Sequence, residues 1–209
     1  MGPVLSGDPR VPYTPKMLRR LAVHRSRLLV VGGYYVSALV VGAISGNNQT
    51  VYYAMLLPLP VGMVAYLDSR RSLSPLVLWG LVLWGALHMA GGLVPASDDR
   101  VLYNVWLLPF VRFDHLVHAV GFGFAGLAFR ESLRDAWSTE ASGAALVFMG
   151  GLGVGALNEM IEFLISRVVE DTNIGGFENT GWDLVANTVG AAVAALWVRY
   201  RYEAGRTAG

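Results

Sequence analysis

Six stretches of this chain stay apolar for close to the thickness of a bilayer, and polar residues crowd into the gaps between them. The runs fall at 28–45, 51–67, 74–94, 115–129, 143–166 and 183–198, each near the roughly 17–25 residues with which a helix crosses a hydrocarbon core. In lipid a lone segment has to satisfy its own backbone, so each run is read as a helix. The pattern predicts an all-α, polytopic membrane protein with six transmembrane helices over 28–199, a polar and basic segment at 1–27 and a short tail at 200–209. Its first partner is then the lipid bilayer.

Basic residues set the orientation. Thirteen of the sixteen Lys and Arg fall on one side of this arrangement: Arg10, Lys16, Arg19, Arg20, Arg25, Arg27, Arg70, Arg71, Arg130, Arg134, Arg199, Arg201 and Arg206. Arg100, Arg112 and Arg167 fall on the other. Cytoplasmic loops collect positive charge, so both termini are expected in the cytoplasm, the location is the plasma membrane, and the loops near 46–50, 95–113 and 166–182 face outward. The opening Pro9 to Pro15 is expected to be disordered, and the basic stretch Lys16 to Arg27 to be a topogenic flank or a short amphipathic turn on the leaflet. Val101 to Phe110 is apolar but too short to cross, which suits an interfacial or re-entrant segment with Tyr103 and Trp106 at headgroup level. Glu170 to Gly181 is an acidic, glycine-rich stretch, read as a lid or a connector.

Small residues four apart mark helix contacts: Gly121 and Ala125, Gly151 and Gly155, Gly190 and Ala194. Such spacing lets helix backbones approach closely in lipid.

Composition narrows the function. Of 209 residues 54% are hydrophobic and only 15% charged, against roughly 25% charged in soluble domains. The net charge of +1 argues neither for nor against nucleic acid, but the sequence carries no concentrated basic groove with interleaved aromatics, which argues against it as a partner. With no cysteine, disulfides, thiolate catalysis and thiolate-bound metals are excluded.

The remaining polar residues gather at one depth. His88 lies near the outer end of the third run, Asp114, His115 and His118 open the fourth, Asn158, Glu159 and Glu162 close the fifth, and Trp182, Asp183 and Asn187 open the sixth. On helices, Asp114 shares a face with His118, Glu159 with Glu162, and Asp183 with Asn187. Ionisable groups inside a membrane are costly and by default functional. Four helices delivering imidazole and carboxylate pairs resemble the metal sites of helical bundles, and this donor set suits a divalent transition metal such as zinc, manganese or iron. The candidate metal ligands are His88, His115, His118, Glu159 and Glu162. Glu159, Glu162 and Asp183 are the candidate catalytic groups, while Asn187, Trp182 and Asp114 orient a substrate. Asp114 and Asp183 have a bland alternative as helix caps, and His88 as an interhelical hydrogen-bonding group.

No His-Glu-x-x-His and no Gly-x-Ser-x-Gly is present, and the single lysine, Lys16, lies on the wrong side for an outer-face site. These absences leave a metal-dependent envelope or lipid-modifying activity, hydrolytic in the favoured reading, with a lipid or cell-envelope substrate. A proton- or cation-coupled carrier or a structural membrane subunit are the alternatives.

Four elements, in order, also carry a family resemblance: His88-Met-Ala-Gly-Gly92, Phe113-Asp114-x-x-x-His118, Glu159-x-x-Glu162 and Trp182-Asp183-x-x-x-Asn187-x-x-Gly190. Over about residues 75–195 the chain resembles the YjdF-like family of bacterial inner-membrane proteins and, more distantly, VanZ-like proteins. The VanZ-like resemblance rests on the Asp-x-x-x-His and Asp-x-x-x-Asn-x-x-Gly elements and implies a role at the cell envelope, where that family is associated with glycopeptide-antibiotic tolerance. Glu162 departs from it, standing where VanZ-like proteins more often carry Gln. The YjdF-like resemblance implies the membrane fold and no settled activity.

Overall fold

The computed structural model describes residues 16–97, 100–167 and 175–207, with side chains between 24 and 201 of these. The expected disorder at Pro9 to Pro15, and residues 170–174 of the outer-loop stretch from Glu170 to Gly181, lie outside the described residues. Among the described residues seven helices follow in order: α1 (Lys16–Ile44), α2 (Thr50–Leu56), α3 (Pro58–Arg71), α4 (Pro75–Leu93), α5 (Phe113–Ser132), α6 (Glu140–Ser166) and α7 (Phe177–Thr207). Five spans among these residues are long and apolar enough to cross a membrane: His24–Ile44, Thr50–Arg71, Pro75–Leu93, Glu140–Ser166 and Phe177–Arg201. The chain is therefore an all-α membrane protein. The helix that falls short on apolarity is α5, which carries Asp114, His115, His118, Arg130 and Glu131.

Three boundaries differ from the sequence expectation. The basic stretch from Lys16 is continuous with the first span as one helix, because no glycine or proline interrupts it before Gly32. The second span is α2 followed directly by α3, jointed at Leu57 ahead of Pro58. Pro58 has no N–H to give the Ala54 carbonyl one turn back, and the Tyr35 hydroxyl of α1 donates to that carbonyl instead, at 2.6 Å. Finally, α7 starts at Phe177, so Asp183 lies inside the helix and does not cap it.

Between α4 and α5 the apolar segment folds into a 3-10 turn, Leu102–Asn104, and an antiparallel hairpin of β1 (Trp106–Leu108) and β2 (Val111–Arg112). Strand-favouring Val, Leu and Trp with Pro109 at the bend explain this departure from helix.

The centre of the bundle is α5, held between α4, α6 and α7. Its contacts are backbone-close. A Cβ on Gly190 would strike the Ala119 carbonyl, one on Gly126 the Val147 carbonyl, and one on Gly151 would lie 2.6 Å from the Phe122 carbonyl oxygen. Gly151, Gly155 and Gly190 are thus helix-contact positions as their spacing predicts, whereas Gly121 makes room for the Trp84 ring. Below these contacts Val77, Leu78, Leu127, Val147 and Val198 form an apolar core. A second cluster, Ala38, Tyr53, Leu57, Met89 and Leu93, joins α1 and α2 to α4.

The end of the bundle away from the hairpin is tied by charge. Arg130 pairs with Glu140 at 3.0 Å and Arg71 with Asp135 at 2.7 Å, while Glu131 accepts from the Ser74 amide at 2.7 Å. Thr139 caps α6, accepting from the Ser142 amide at 3.1 Å.

Adding one methyl group separates contact glycines from lipid-facing ones. Gly190→Ala should lower stability by about 1–3 kcal/mol through overpacking against backbone. Gly153→Ala, with nothing within 4 Å of its Cβ, should be neutral or gain up to about 1 kcal/mol of helix propensity. Thermal unfolding in mild detergent measures both, and equal behaviour of the two variants would refute the packing assignment.

Candidate functional site

At the hairpin end, α5 presents Asp114 and His118, α6 presents Asn158, Glu159 and Glu162, and α7 presents Asn179, Asp183 and Asn187. His118 is the hub. Its Nδ1 lies 3.0 Å from Asn187 Oδ1 and 3.4 Å from Glu159 Oε1, while its Nε2 lies 3.6 Å from Asp114 Oδ1. The amide oxygen of Asn187 can only accept, so this bond places an imidazole proton on Nδ1, and Nε2 is the nitrogen that faces Asp114.

Around this ring the side chains are deeply buried. Asp183 and Asn187 are 1% and 0% exposed. Asp183 Oδ2 accepts from Asn179 Nδ2 at 2.5 Å, yet among the described residues its Oδ1 has no hydrogen-bond partner, nor do Glu159 Oε2 and Asn187 Nδ2. Glu162 is better provided, with Oε1 accepting from Asn158 Nδ2 at 2.7 Å, one helical turn away. Gly155 makes the arrangement possible, because a Cβ there would lie 2.7 Å from Asn187 Nδ2.

Two trios of side chains, Asp114 with His118 and Asp183, and His118 with Glu159 and Glu162, each place their ligand atoms within 4.8 Å of one another. Each trio has the oxygen and nitrogen donors that divalent metals take. Among the described residues, the cluster's carboxylates find no ion-pair partner except the His118 ring.

The other expected residues are placed elsewhere. His115 belongs to the start of α5, where its Nδ1 accepts from the Arg112 amide at 3.2 Å and its ring lies 6.2 Å from that of Trp182. Asp114 is in the first turn of the helix but does not cap it, Arg112 being the N-cap residue. His88 sits apart, among the rings of Tyr53, Trp84 and Tyr103, with the Tyr103 hydroxyl 2.5 Å from its Nδ1. Gly91 and Gly92 leave the space that Tyr103 and Tyr53 fill. Tyr103 therefore points inward, away from the headgroup level expected for it, while Trp106 remains exposed. Burial, aided by nearby Tyr53, Asp114 and Glu162, pushes the Tyr103 phenol well above its usual range, which keeps its proton available for hydrogen bonding. The fourth histidine, His24, is at the opposite end, 3.0 Å from Asp68.

The sequence pattern assigns Asn158 no role of its own and does not single out Asn179. Each lies four residues before the acid it serves, Glu162 and Asp183, and that spacing is the signal that marks them.

The architecture defines a helical integral membrane protein with a one-ended histidine and carboxylate layer. Within that class, the chain belongs to the family described as a predicted membrane protein family (DUF2238), which matches residues 27–204 and is the YjdF-like family. No curated protein matches the chain. No solved structure matches it either.

The His88 and Tyr103 contact should be energetically coupled. A double-mutant cycle of Tyr103→Phe and His88→Phe, read by thermal unfolding, is expected to return about 1 kcal/mol; additive effects would mean that the hydroxyl contributes nothing through the imidazole.

Proposed function

We propose that the layer is a divalent-cation centre of an enzyme that acts on lipid or cell-envelope substrates, with ester hydrolysis as its chemistry. The buried, unpartnered atoms of Asp183, Glu159 and Asn187 beside His118 carry this reading, since buried carboxylates need a cation or protons and a native core rarely leaves acceptors orphaned.

The ligand set best supported is Asp114, Asp183 and Nε2 of His118. Asn187 and Glu159 face the Nδ1 proton of His118, the arrangement by which metal-binding histidines are held in one tautomer. Asp183 is braced from its other oxygen by Asn179. A bound divalent cation supplies Lewis-acid polarisation of a substrate oxygen. Glu162, with Oε1 taken by Asn158, has Oε2 free to receive a proton from attacking water and return it to the leaving group. Glu159 and Glu162 extend the donor set on the other side of the imidazole, and Trp182, its ring 6.2 Å from that of His115 and half exposed, is placed to orient a substrate. The Asp-x-x-x-His and Asp-x-x-x-Asn-x-x-Gly elements of the VanZ-like resemblance supply the facing pairs of α5 and α7, which fits work at the envelope.

A proton- or cation-coupled carrier would use the same carboxylates. The apolar core of Val77, Leu127, Val147 and Val198 beneath the layer argues against it, because transport requires access from both faces.

Topology follows the same lines. The site of α5 meets the end of α6 through His118 and Glu159, and the far end of α5 meets the start of α6 through Arg130 and Glu140. We take α5 as a sixth crossing, sheltered from lipid by its neighbours, with both termini cytoplasmic and the layer facing outward, a reading the distribution of basic residues supports.

Elemental mass spectrometry of the detergent-purified protein should find about one equivalent of zinc, manganese or iron per chain. The metal should be lost in folded His118→Ala and Asp183→Asn and kept in Glu162→Gln. Metal-free wild type with unaffected, folded variants would refute the centre. For sidedness, the cysteine-free chain permits single-cysteine labelling: Ser97→Cys should react from outside intact cells and Ser138→Cys only after permeabilisation, the reverse pattern overturning the orientation.

A further inference from the structure

Arg112 stands at the mouth of the layer with its charge largely unspent. Strand register sets it opposite Trp106, and its guanidinium lies over that indole at 4.7 Å. A guanidinium carries five N–H donors. One of them reaches Asn179 Oδ1, at 3.4 Å, and among the described residues no carboxylate pairs with it.

The hairpin around it is apolar on the outside. Trp106, Leu107, Leu108 and Phe110 are 45% to 79% exposed, at the end of a bundle whose neighbouring helices are long enough to cross a membrane. Exposed Trp and Phe beside an Arg match the interface, where apolar side chains enter the acyl region and cations meet lipid phosphates. His118 lies six residues along α5 from Arg112, about 9 Å deeper at the helical rise. Arg112 is also wired to the layer, since Asn179 bridges its guanidinium to Asp183.

We propose that Arg112 is the phosphate-binding arm of the site, taking the headgroup phosphate of a phospholipid whose acyl chains lie against the β1–β2 hairpin. Planar, bidentate donors suit a phosphate group, and the indole beneath holds the fork while leaving its outer edge open. A phospholipid bound there has its ester linkages beside the carboxylate layer. The proposal deepens the enzymatic reading above and rests on it for the reaction, though not for the binding.

Binding is read by native mass spectrometry of the full chain in detergent, titrated with phosphatidylglycerol, with diacylglycerol bearing the same chains, and with glycerol phosphate. Phosphatidylglycerol should bind wild type best and lose about tenfold or more in Arg112→Gln, as for a charged hydrogen bond removed. Arg112→Lys should fall between, and Phe110→Ser should weaken the lipid but not glycerol phosphate. Unchanged thermal unfolding in Arg112→Gln excludes misfolding. Equal lipid binding by wild type and Arg112→Gln overturns the proposal, as does glycerol phosphate binding as tightly as the lipid, which would make this a soluble-anion site. Arg112-dependent lipid binding in a chain that proves metal-free would sink the cation reading and leave this one standing.

Discussion

Everything at the hairpin end depends on how closely α5 lies against α6 and α7. At Gly190, Gly126 and Gly151 one helix backbone rests on a carbonyl of the next, a separation that no side chain would allow. Between lipid-bathed helices the hydrophobic effect supplies little drive, and packing at such small residues takes its place. The same approach brings His118 within 3.0 Å of Asn187 and 3.4 Å of Glu159. Gly155, lying against Asn187, extends this contact into the polar layer itself.

The molecule is consequently polarised along its axis. One end concentrates acids, amides and imidazoles on short side chains that cannot reach water by extending. The other end concentrates arginines, which can. There Arg130 lies 4.1 Å from the Trp137 ring and Arg201 5.3 Å from that of Trp197, using long apolar stems that keep the charge near the interface. Charge at the second end is thus settled by pairing and solvent. At the first, among the described residues, only the His118 ring stands against it.

Much of this was legible from spacing. Helical periodicity grouped Asp114 with His118, Glu159 with Glu162 and Asp183 with Asn187, and the alternation of apolar runs put all of them at one end. Periodicity says which residues share a face but not which neighbour that face meets. His115, three residues from His118, turns to the helix start and Trp182, while His88 is enclosed by tyrosines from two other segments. The inward turn of Tyr103 depends on Gly91, a space visible only in three dimensions. The hairpin escaped because a short apolar segment between helices has no period long enough to declare itself. α5 shows the complementary limit: its hydropathy is lowered by the residues that make it central.

On the reading proposed here, a cation and not protons neutralises the buried carboxylates. Infrared difference spectroscopy of the purified protein before and after chelation tests it most directly, because a protonated carboxyl and a metal-bound carboxylate absorb differently. Chelation should create a protonated-carboxyl band, zinc or manganese should remove it again, and Asp183→Asn should diminish it. A protonated-carboxyl band already present in the protein as purified, and indifferent to chelator and cation alike, would mean that protons and not a cation neutralise the layer.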